Sequence, residues 1–238
     1  MSEMIESLEL RQFLSSTVAV NGSTLTVNGN GADDSITVRE TGGSVHVEYF
    51  DANGVFKTQD LVSITAIKIN GGGGSDTISY TGDSIGASID GDGNGATTGD
   101  SHTHGNGPEN GKGHEKAIGK GHNKGGSGDN AADGDFITVS DDGAGSSTVH
   151  GSAGDDSITL LHGNGTNIFG DDGDDLIFVN TAAHGGSANV DAGAGNDTIT
   201  TYDGVNNING GSGNDTLIDV GGLATNTPTS IENTQTLP

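Results

Sequence analysis

Two apolar columns run through the chain at fixed distances from an aspartate. Ile36, Ile78, Ile158, Ile177, Ile199 and Leu217 each stand two places after one. Val27, Ile69, Val149, Ile168, Val190 and Ile208 each precede the glycine-rich stretch that leads to it. Around these positions polar and apolar residues alternate. "DSITL" and "DTITT" put Ile on one face and Thr or Ser on the other, the period of a half-buried strand. The stretches that recur are "GNGADDSIT" from Gly29, "GGGSDTIS" from Gly72, "GSAGDDSIT" from Gly151, "GDDGDDLIF" from Gly170, "AGAGNDTIT" from Ala192 and "GGSGNDTLI" from Gly210. Their aligned aspartates are Asp34, Asp76, Asp156, Asp175, Asp197 and Asp215, and from Asp156 onward these lie 19, 22 and 18 residues apart. That period holds two short strands and two turns, one coil of a narrow solenoid. The segments "HGNGTN", "HGGSAN" and "YDGVNN" are the turns of the opposite edge. They carry Gly and Asn for left-handed backbone angles and lack the aligned aspartate.

The pattern overrules what composition alone would say. With 29% apolar residues, 44 glycines and a formal charge of -25 in 238 residues, disorder would be the default. In-register aspartates and an apolar set that is mostly Val, Ile and Leu argue for order instead. So acidic a chain is a poor partner for nucleic acid. No apolar run reaches the ~20 residues of a membrane span. There is no cysteine, so no disulfide framework exists. The start, "MSEMIESLELRQFLSSTVAV", lacks the basic and long apolar parts of an ordinary signal peptide. It suits a short amphipathic helix over residues 1–16.

The aligned aspartates form an acidic ladder on one edge. Coils stack ~4.8 Å apart, and two carboxylates at ~5 Å repel by roughly 3 kcal/mol at an effective dielectric of about 20. A thin row of Ile and Val cannot absorb several such pairs, so a cation is expected between the rungs. Carboxylates and loop carbonyls are hard oxygen donors that suit Ca²⁺. Without Cys, and with only His150 near the ladder, zinc fits poorly. The alternative is a metal-free solenoid whose Asp and Asn side chains hydrogen-bond the turns.

The nonapeptide resembles the G-G-x-G-x-D-x-U-x repeat of the RTX, or haemolysin-type, calcium-binding proteins. "GGSGNDTLI" fits every fixed position, and the loops from Gly151, Gly170 and Ala192 each miss one glycine. The resemblance spans roughly residues 17–233 apart from one insertion. It implies a right-handed parallel β-roll that holds several Ca²⁺ ions between successive turns. By position it implies Asp34, Asp76, Asp156, Asp175, Asp197 and Asp215 as carboxylate ligands. The loop glycines Gly151, Gly170, Gly173, Gly210, Gly211 and Gly213 belong to the same implied metal set. The chain departs from the family in carrying calcium loops on one edge only. "GNGADDSIT" lacks the second and fourth glycines, and "SVHVEYFDANGVFKTQDLVSITAIKIN" has no calcium motif. That section reads as further coils or a capping hairpin, with "FDANGVF" an ordinary turn. "TSIENTQTLP" resembles the "IEN" segment that often follows such repeats and reads as a last partial rung.

One loop is split. "SIDGDGNG" (88–95) opens it and "DGDFITV" (133–139) closes it, which places Asp135 in the aspartate column and Ile137 in the aliphatic one. The halves of the roll are thus 17–95 and 133–238. The low-complexity insertion 96–132 contains His102, His104, His114 and His122, and Lys112, Lys116, Lys120 and Lys124. It reads as a solvated loop, a basic arm on the acidic edge, or a transition-metal segment. "GPENGKG" is not a phosphate loop, because Gly113 stands where Ser or Thr is required.

No nucleophile elbow or H-E-x-x-H occurs, and no enzyme is expected. Two functions from different classes remain. One is a secreted or cell-surface calcium-binding protein that folds in extracellular Ca²⁺. The other is a structural subunit that stacks end to end into a homo-oligomer, an extracellular fibre or a surface layer, through unpaired strand edges. "LELRQFLSS" resembles the "LEPR-x-LL" segment at the start of some bacterial surface proteins, without its proline, and implies the same extracellular or cell-surface location.

Overall fold

The alternation along the chain becomes two stacks of strands enclosing one thin core. The structure is a computed structural model and describes residues 15–92, 134–142, 145–181, 186–221 and 224–237. The first strands, β1 (Thr17–Asn21) and β2 (Thr24–Asn28), form a hairpin. Strands β3 (Ser35–Thr41), β4 (Ser44–Phe50) and β5 (Phe56–Val62) form an antiparallel meander. The chain then winds through β6 (Ala66–Asn70), β7 (Thr77–Gly82), β8 (Ala87–Asp90) and β9 (Phe136–Asp141). It continues through β10 (Thr148–Ala153), β11 (Ser157–His162), β12 (Thr166–Asp172), β13 (Leu176–Val179) and β14 (Ser187–Asp191). The last strands are β15 (Thr198–Thr201), β16 (Val205–Asn209), β17 (Thr216–Val220), β18 (Thr225–Thr229) and β19 (Asn233–Leu237).

From β6 onward even-numbered strands stack in parallel on β2, and odd-numbered strands stack in parallel on β3. No helix occurs among the described residues. The protein is an all-β parallel solenoid. Of the two readings of the motif-free section after β3, the hairpin holds for β4 and β5, and the section's end, β6, is a coil strand stacked on β2. In the hairpin turn Asp51 Oδ1 accepts the N–H groups of Asn53 and Val55, and Gly54 supplies φ 68°. The segment after β17 makes both strands of a coil, where the sequence suggested a partial rung.

Both apolar columns are buried and in register. Ile36, Ile78, Ile137, Ile158, Ile177, Ile199 and Leu217 are paired in succession, as are Val27, Ile69, Ile89, Val149, Ile168, Val190 and Ile208. All belong to a single core. Ile89 and Ile137 flank the insertion, so the coil resumes in register across it. Residues 96–132 and the expected N-terminal helix up to residue 14 lie outside the described residues.

The turn edge is held by two buried carboxylates. Glu40 accepts the N–H of Gly43, the N–H groups of Asp83, Ser84 and Ile85, and the Ser84 hydroxyl. These donors outweigh the burial that opposes ionisation and hold its pKa below the ordinary value. Asp141 accepts the Ser147 N–H and hydroxyl and the Thr166 hydroxyl. Each ties the turns of neighbouring coils together.

Ile177 is fully buried between Ile158 and Ile199. Ile177→Ala should cost about 2–5 kcal/mol, the range for truncating a core aliphatic. Thr159→Ala, on the outer face of the same sheet, should cost under about 0.5 kcal/mol. Urea unfolding under identical calcium conditions measures both, and equal losses would contradict the one-column core.

Candidate metal site

Each coil crosses from an even-numbered to an odd-numbered strand through the motif loop, and the backbone explains the glycines. The second loop position has positive φ at Gly72 (110°), Gly193 (109°) and Gly211 (97°). The fourth has it at Gly74 (102°), Gly154 (123°), Gly173 (148°), Gly195 (151°) and Gly213 (145°). These are angles that residues with a side chain rarely adopt. Where the second glycine is replaced, Ser152 (φ 86°) and Asp171 (φ 74°) keep the left-handed turn. The strand register also places Gly71 at the first loop position. The loop before Asp76 is therefore "GGGGSD", a full match that an alignment starting at Gly72 hides.

The aspartates line up as expected. Asp34, Asp76, Asp135, Asp156, Asp175, Asp197 and Asp215 are all buried, at 0–3% exposure. From Asp76 onward each uses one oxygen in the same way. Asp34 N–H donates to Asp76 Oδ1 (2.7 Å), Asp76 N–H to Asp135 Oδ1 (2.7 Å) and Asp135 N–H to Asp156 Oδ1 (2.7 Å). The series goes on from Asp156 to Asp175 (2.9 Å), Asp175 to Asp197 (2.8 Å) and Asp197 to Asp215 (2.9 Å). It ends where Asp215 N–H donates to Glu232 Oε2 at 2.8 Å. A second series runs the other way one residue earlier. Ser75 N–H donates to Asp33 Oδ1, Asp174 N–H to Asp155 Oδ1, Asn196 N–H to Asp174 Oδ1 and Asn214 N–H to Asn196 Oδ1. The expectation that side chains hydrogen-bond the turns thus holds for one oxygen per carboxylate.

The other oxygen has nothing. Oδ2 of Asp76, Asp135, Asp156, Asp175, Asp197 and Asp215 is buried with no hydrogen-bond partner. In five of the six it faces the first glycine of its own loop; the loop of Asp197 has Ala192 there, so that rung already carries a methyl at the first position. A methyl group on Gly71, Gly91, Gly151, Gly170 or Gly210 would fall under 3.0 Å both from that Oδ2 and from the first-position carbonyl oxygen of the next coil. Those carbonyls belong to Gly91, Gly151, Gly170, Ala192 and Ser230 respectively. Two oxygens, neither a donor, therefore converge at every such rung on a point that only glycine leaves open. Gly173, Gly211 and Gly213 lie farther along the loops, where each packs its Cα against a carbonyl of the preceding coil.

Electrostatics reflects the missing partner. Burial foremost, with neighbouring carboxylates adding to it, raises the pKa of Asp76 and Asp175 to about 8, of Asp135 and Asp156 to about 7, and of Asp197 to about 6. Such a group must either take a proton or meet a cation. The donor set is all oxygen. Among the described residues no three His, Asp or Glu side chains gather on one point, so backbone carbonyls would have to supply most ligands. Calcium accepts such a set of 6–8 oxygens in flexible geometry, and Mg²⁺ is less tolerant. The residues present fit Ca²⁺.

Other clusters do not make a site. His162 Nδ1 meets both Asp142 Oδ1 (2.7 Å) and Ser140 Oγ (3.0 Å). A single nitrogen serves both, so there is no relay of the kind a nucleophilic serine needs. His150 stacks on Phe169 and pairs with Asp171 (2.9 Å) on the outer face. Comparison of the chain with family models, curated proteins and solved structures finds no match.

The raised values set a pH dependence for the cation-free protein. An unfolded Asp titrates near 3.9, so between about pH 4 and 8 the folded ladder binds more protons than the unfolded chain. That stability is fully present below pH ~4 and is lost as pH rises through 6–8. His46 and His150, raised by their carboxylate partners, act with the same sign. In chelator, the melting temperature should fall from pH 5 to pH 8. A flat or rising profile would contradict the buried, unpartnered ladder.

Proposed function

We propose that this is a calcium-binding repeat protein of the RTX, haemolysin-type class that works outside the cell or at its surface. Its solenoid is completed by Ca²⁺ along the aspartate ladder. The observation that carries the reading is a contrast between two kinds of buried carboxylate. On the turn edge Glu40 receives five donors and Asp141 three. On the ladder six aspartates receive one donor each, and five of them aim the second oxygen, across a first-position glycine, at a neighbouring carbonyl. Glu40 and Asp141 show that this fold can surround a buried carboxylate with N–H and O–H, although Asp219 Oδ1, off the ladder, is also buried without a partner. The ladder lacks that provision at every rung from Asp76 to Asp215.

The loops and the ladder divide the work. Glycines at the second and fourth positions turn the backbone, the first glycine leaves room, and the Asp Oδ2 atoms supply the charge. Bound Ca²⁺ would contribute the positive charge that relieves repulsion between coils. Ions that bind the folded but not the unfolded chain stabilise it by RT ln(1 + [L]/Kd) per site. Weak sites fill at millimolar extracellular calcium and stay empty at cytosolic levels, so the protein would fold after export.

End-to-end stacking has less support. The Thr225 N–H bonds Gly204 O in the preceding coil, and alternation then puts the nitrogen of Pro228 on the open edge of β18. Proline has no N–H to offer another strand.

Far-UV circular dichroism from a chelated start at pH 8 tests the proposal. Calcium should produce a cooperative gain of β-structure that equimolar magnesium does not. A β-spectrum indifferent to chelator at pH 8 would end this reading. Gly170→Ala, which puts a methyl between Asp175 Oδ2 and the Ala192 carbonyl, should move the calcium midpoint several-fold upward. Sedimentation in calcium should show a folded monomer, and large assemblies would restore the fibre reading.

A further inference from the structure

The row of unpartnered oxygens does not coincide with the row of motif aspartates, although the same close approach recurs at Gly29, where a methyl would fall under 3.0 Å from both Gly71 O and Asp34 Oδ2. At the N-terminal end Asp34 is chemically closed. Its Oδ2 accepts the N–H of Asn30 at 2.7 Å, and its Oδ1 accepts the Ser16 hydroxyl at 3.3 Å. It is the one ladder aspartate among the described residues whose Oδ2 has a donor. The reason is local. Its loop has Asn30 at the second position, where the full-motif loop before Asp76 has left-handed Gly72, and the Asn30 N–H turns back onto the carboxylate.

At the other end the row continues past the last motif. Asp215 is fully buried and its Oδ2 has no partner. The carbonyl that meets it comes from Ser230, in a coil with no nonapeptide. The position a methyl on Gly210 would take lies under 3.0 Å from both Asp215 Oδ2 and Ser230 O. Ser230 has φ 50°, one of four non-glycine residues with positive φ among the described residues. Ser152 and Asp171, two of the others, hold the second loop position. Gly71, Gly151, Gly170 and Gly210, the first-position residues with which Ser230 stands in register, have no positive φ, so the shortened loop reaches its contact by a different backbone turn. Such a backbone persists only where its surroundings impose it. Two residues later Glu232 replaces the aspartate on a shortened loop. Its longer side chain still reaches the Asp215 N–H. The segment Ser230–Ile231–Glu232 thus reproduces, with fewer residues, the two contacts that every motif loop makes to the coil before it: a first-position carbonyl and a carboxylate oxygen.

Resting on the calcium reading, we infer that the cation row starts at Asp76 and ends at Asp215, with Ser230 supplying the closing carbonyl of the last site and Asp34 taking no ion. The motif-free final coil is then half of a metal site, and the first motif aspartate is a hydrogen-bonded anchor.

Equilibrium dialysis of the full chain against ⁴⁵Ca²⁺ at pH 8 counts ions per chain, with circular dichroism confirming the fold of each variant at saturating calcium. Asp34→Asn should bind as many ions as the natural sequence. Asp215→Asn, which keeps the oxygen that accepts the Asp197 N–H, should bind one fewer. Ser230→Pro, which forces negative φ and redirects the carbonyl, should also lose one, and Ser230→Gly should lose none. An ion lost in Asp34→Asn, or a full count in Asp215→Asn, would overturn the inference. If Ser230→Pro fails to fold, the two aspartate variants decide. Absence of any bound calcium in the natural sequence would strike the calcium reading itself, an outcome distinct from a wrong assignment of the row's ends.

Discussion

The structure depends on one constraint, which is that a column of carboxylates is buried one per coil with a single donor each. The two apolar columns that make the core are the ladder's immediate neighbours, one on each side of every loop. They hold the coils together and also strip water from the aspartates. The stabilising and the destabilising parts of the fold are therefore the same residues seen from two sides. Burying an Ile or Val is worth about 1.5–3 kcal/mol, of the order of one carboxylate–carboxylate repulsion at this spacing. Each rung's repulsion thus offsets roughly the contribution of one core side chain.

Register along the edge is set by two opposed series of hydrogen bonds. Ladder aspartates from Asp76 onward accept from the coil before them, and Asp33, Asp155, Asp174 and Asn196, one place earlier in their loops, accept from the coil after them. At the coil interrupted by 96–132, Gly134 precedes Asp135 and offers no side chain, so the aspartate series and the strand ladders carry the register across it. Gly91 and Asp135 stay paired as if adjacent, because the Gly91 N–H is taken by His150 O and the Asp135 N–H by Asp156 Oδ1. The outer faces repeat the principle with amides. Asn207 donates to Asn189 and Asn189 to Asn167, the side-chain pairing that an in-register parallel stack makes available.

The sequence made the ladder legible because its signal is periodic. An aspartate, an aliphatic two places on and an aliphatic before the loop recur with strand-like alternation between them, and the fold follows from that. It could not show what happens once. Glu40 and Asp141 share a register position on the turn edge, but Gly82 stands there in the coil between them, so residue type does not repeat along the column and only packing reveals how many donors surround them. Glu232 was hidden by a shortened loop in which a longer side chain offsets missing backbone, so no alignment on aspartates finds it. Gly71 was missed for a plainer reason, a run of four glycines with no side chain to mark the register. The hairpin of β4 and β5 alternates as a solenoid strand does, and strand direction is not written in alternation.

The core is not uniform along the axis, and this bears on what the ladder does. Beside the ladder the columns stay aliphatic to Ile208 and Leu217. Away from it they turn polar towards the last coils. In the odd-numbered strands Val179 is followed by Thr201, Asp219 and Thr236, and in the even-numbered strands Ala188 is followed by Asn206 and Asn226. Several of these polar groups bond one another, as when Asn226 donates to Thr201 Oγ1 and Asn206 to Asn226 Oδ1, while Asp219 Oδ1 is buried without a partner. Such bonds add less than buried methyl groups do. In a solenoid, stability is close to a sum over neighbouring coils, so the last coils draw least from the core and most from the ladder edge. The coils whose order is most sensitive to charge at the rungs are therefore those from β14 onward. The N-terminal coils, with Tyr80, Val139 and Leu160 in the same inner column and Glu40 clamping the turn, have apolar support that does not pass through the aspartates.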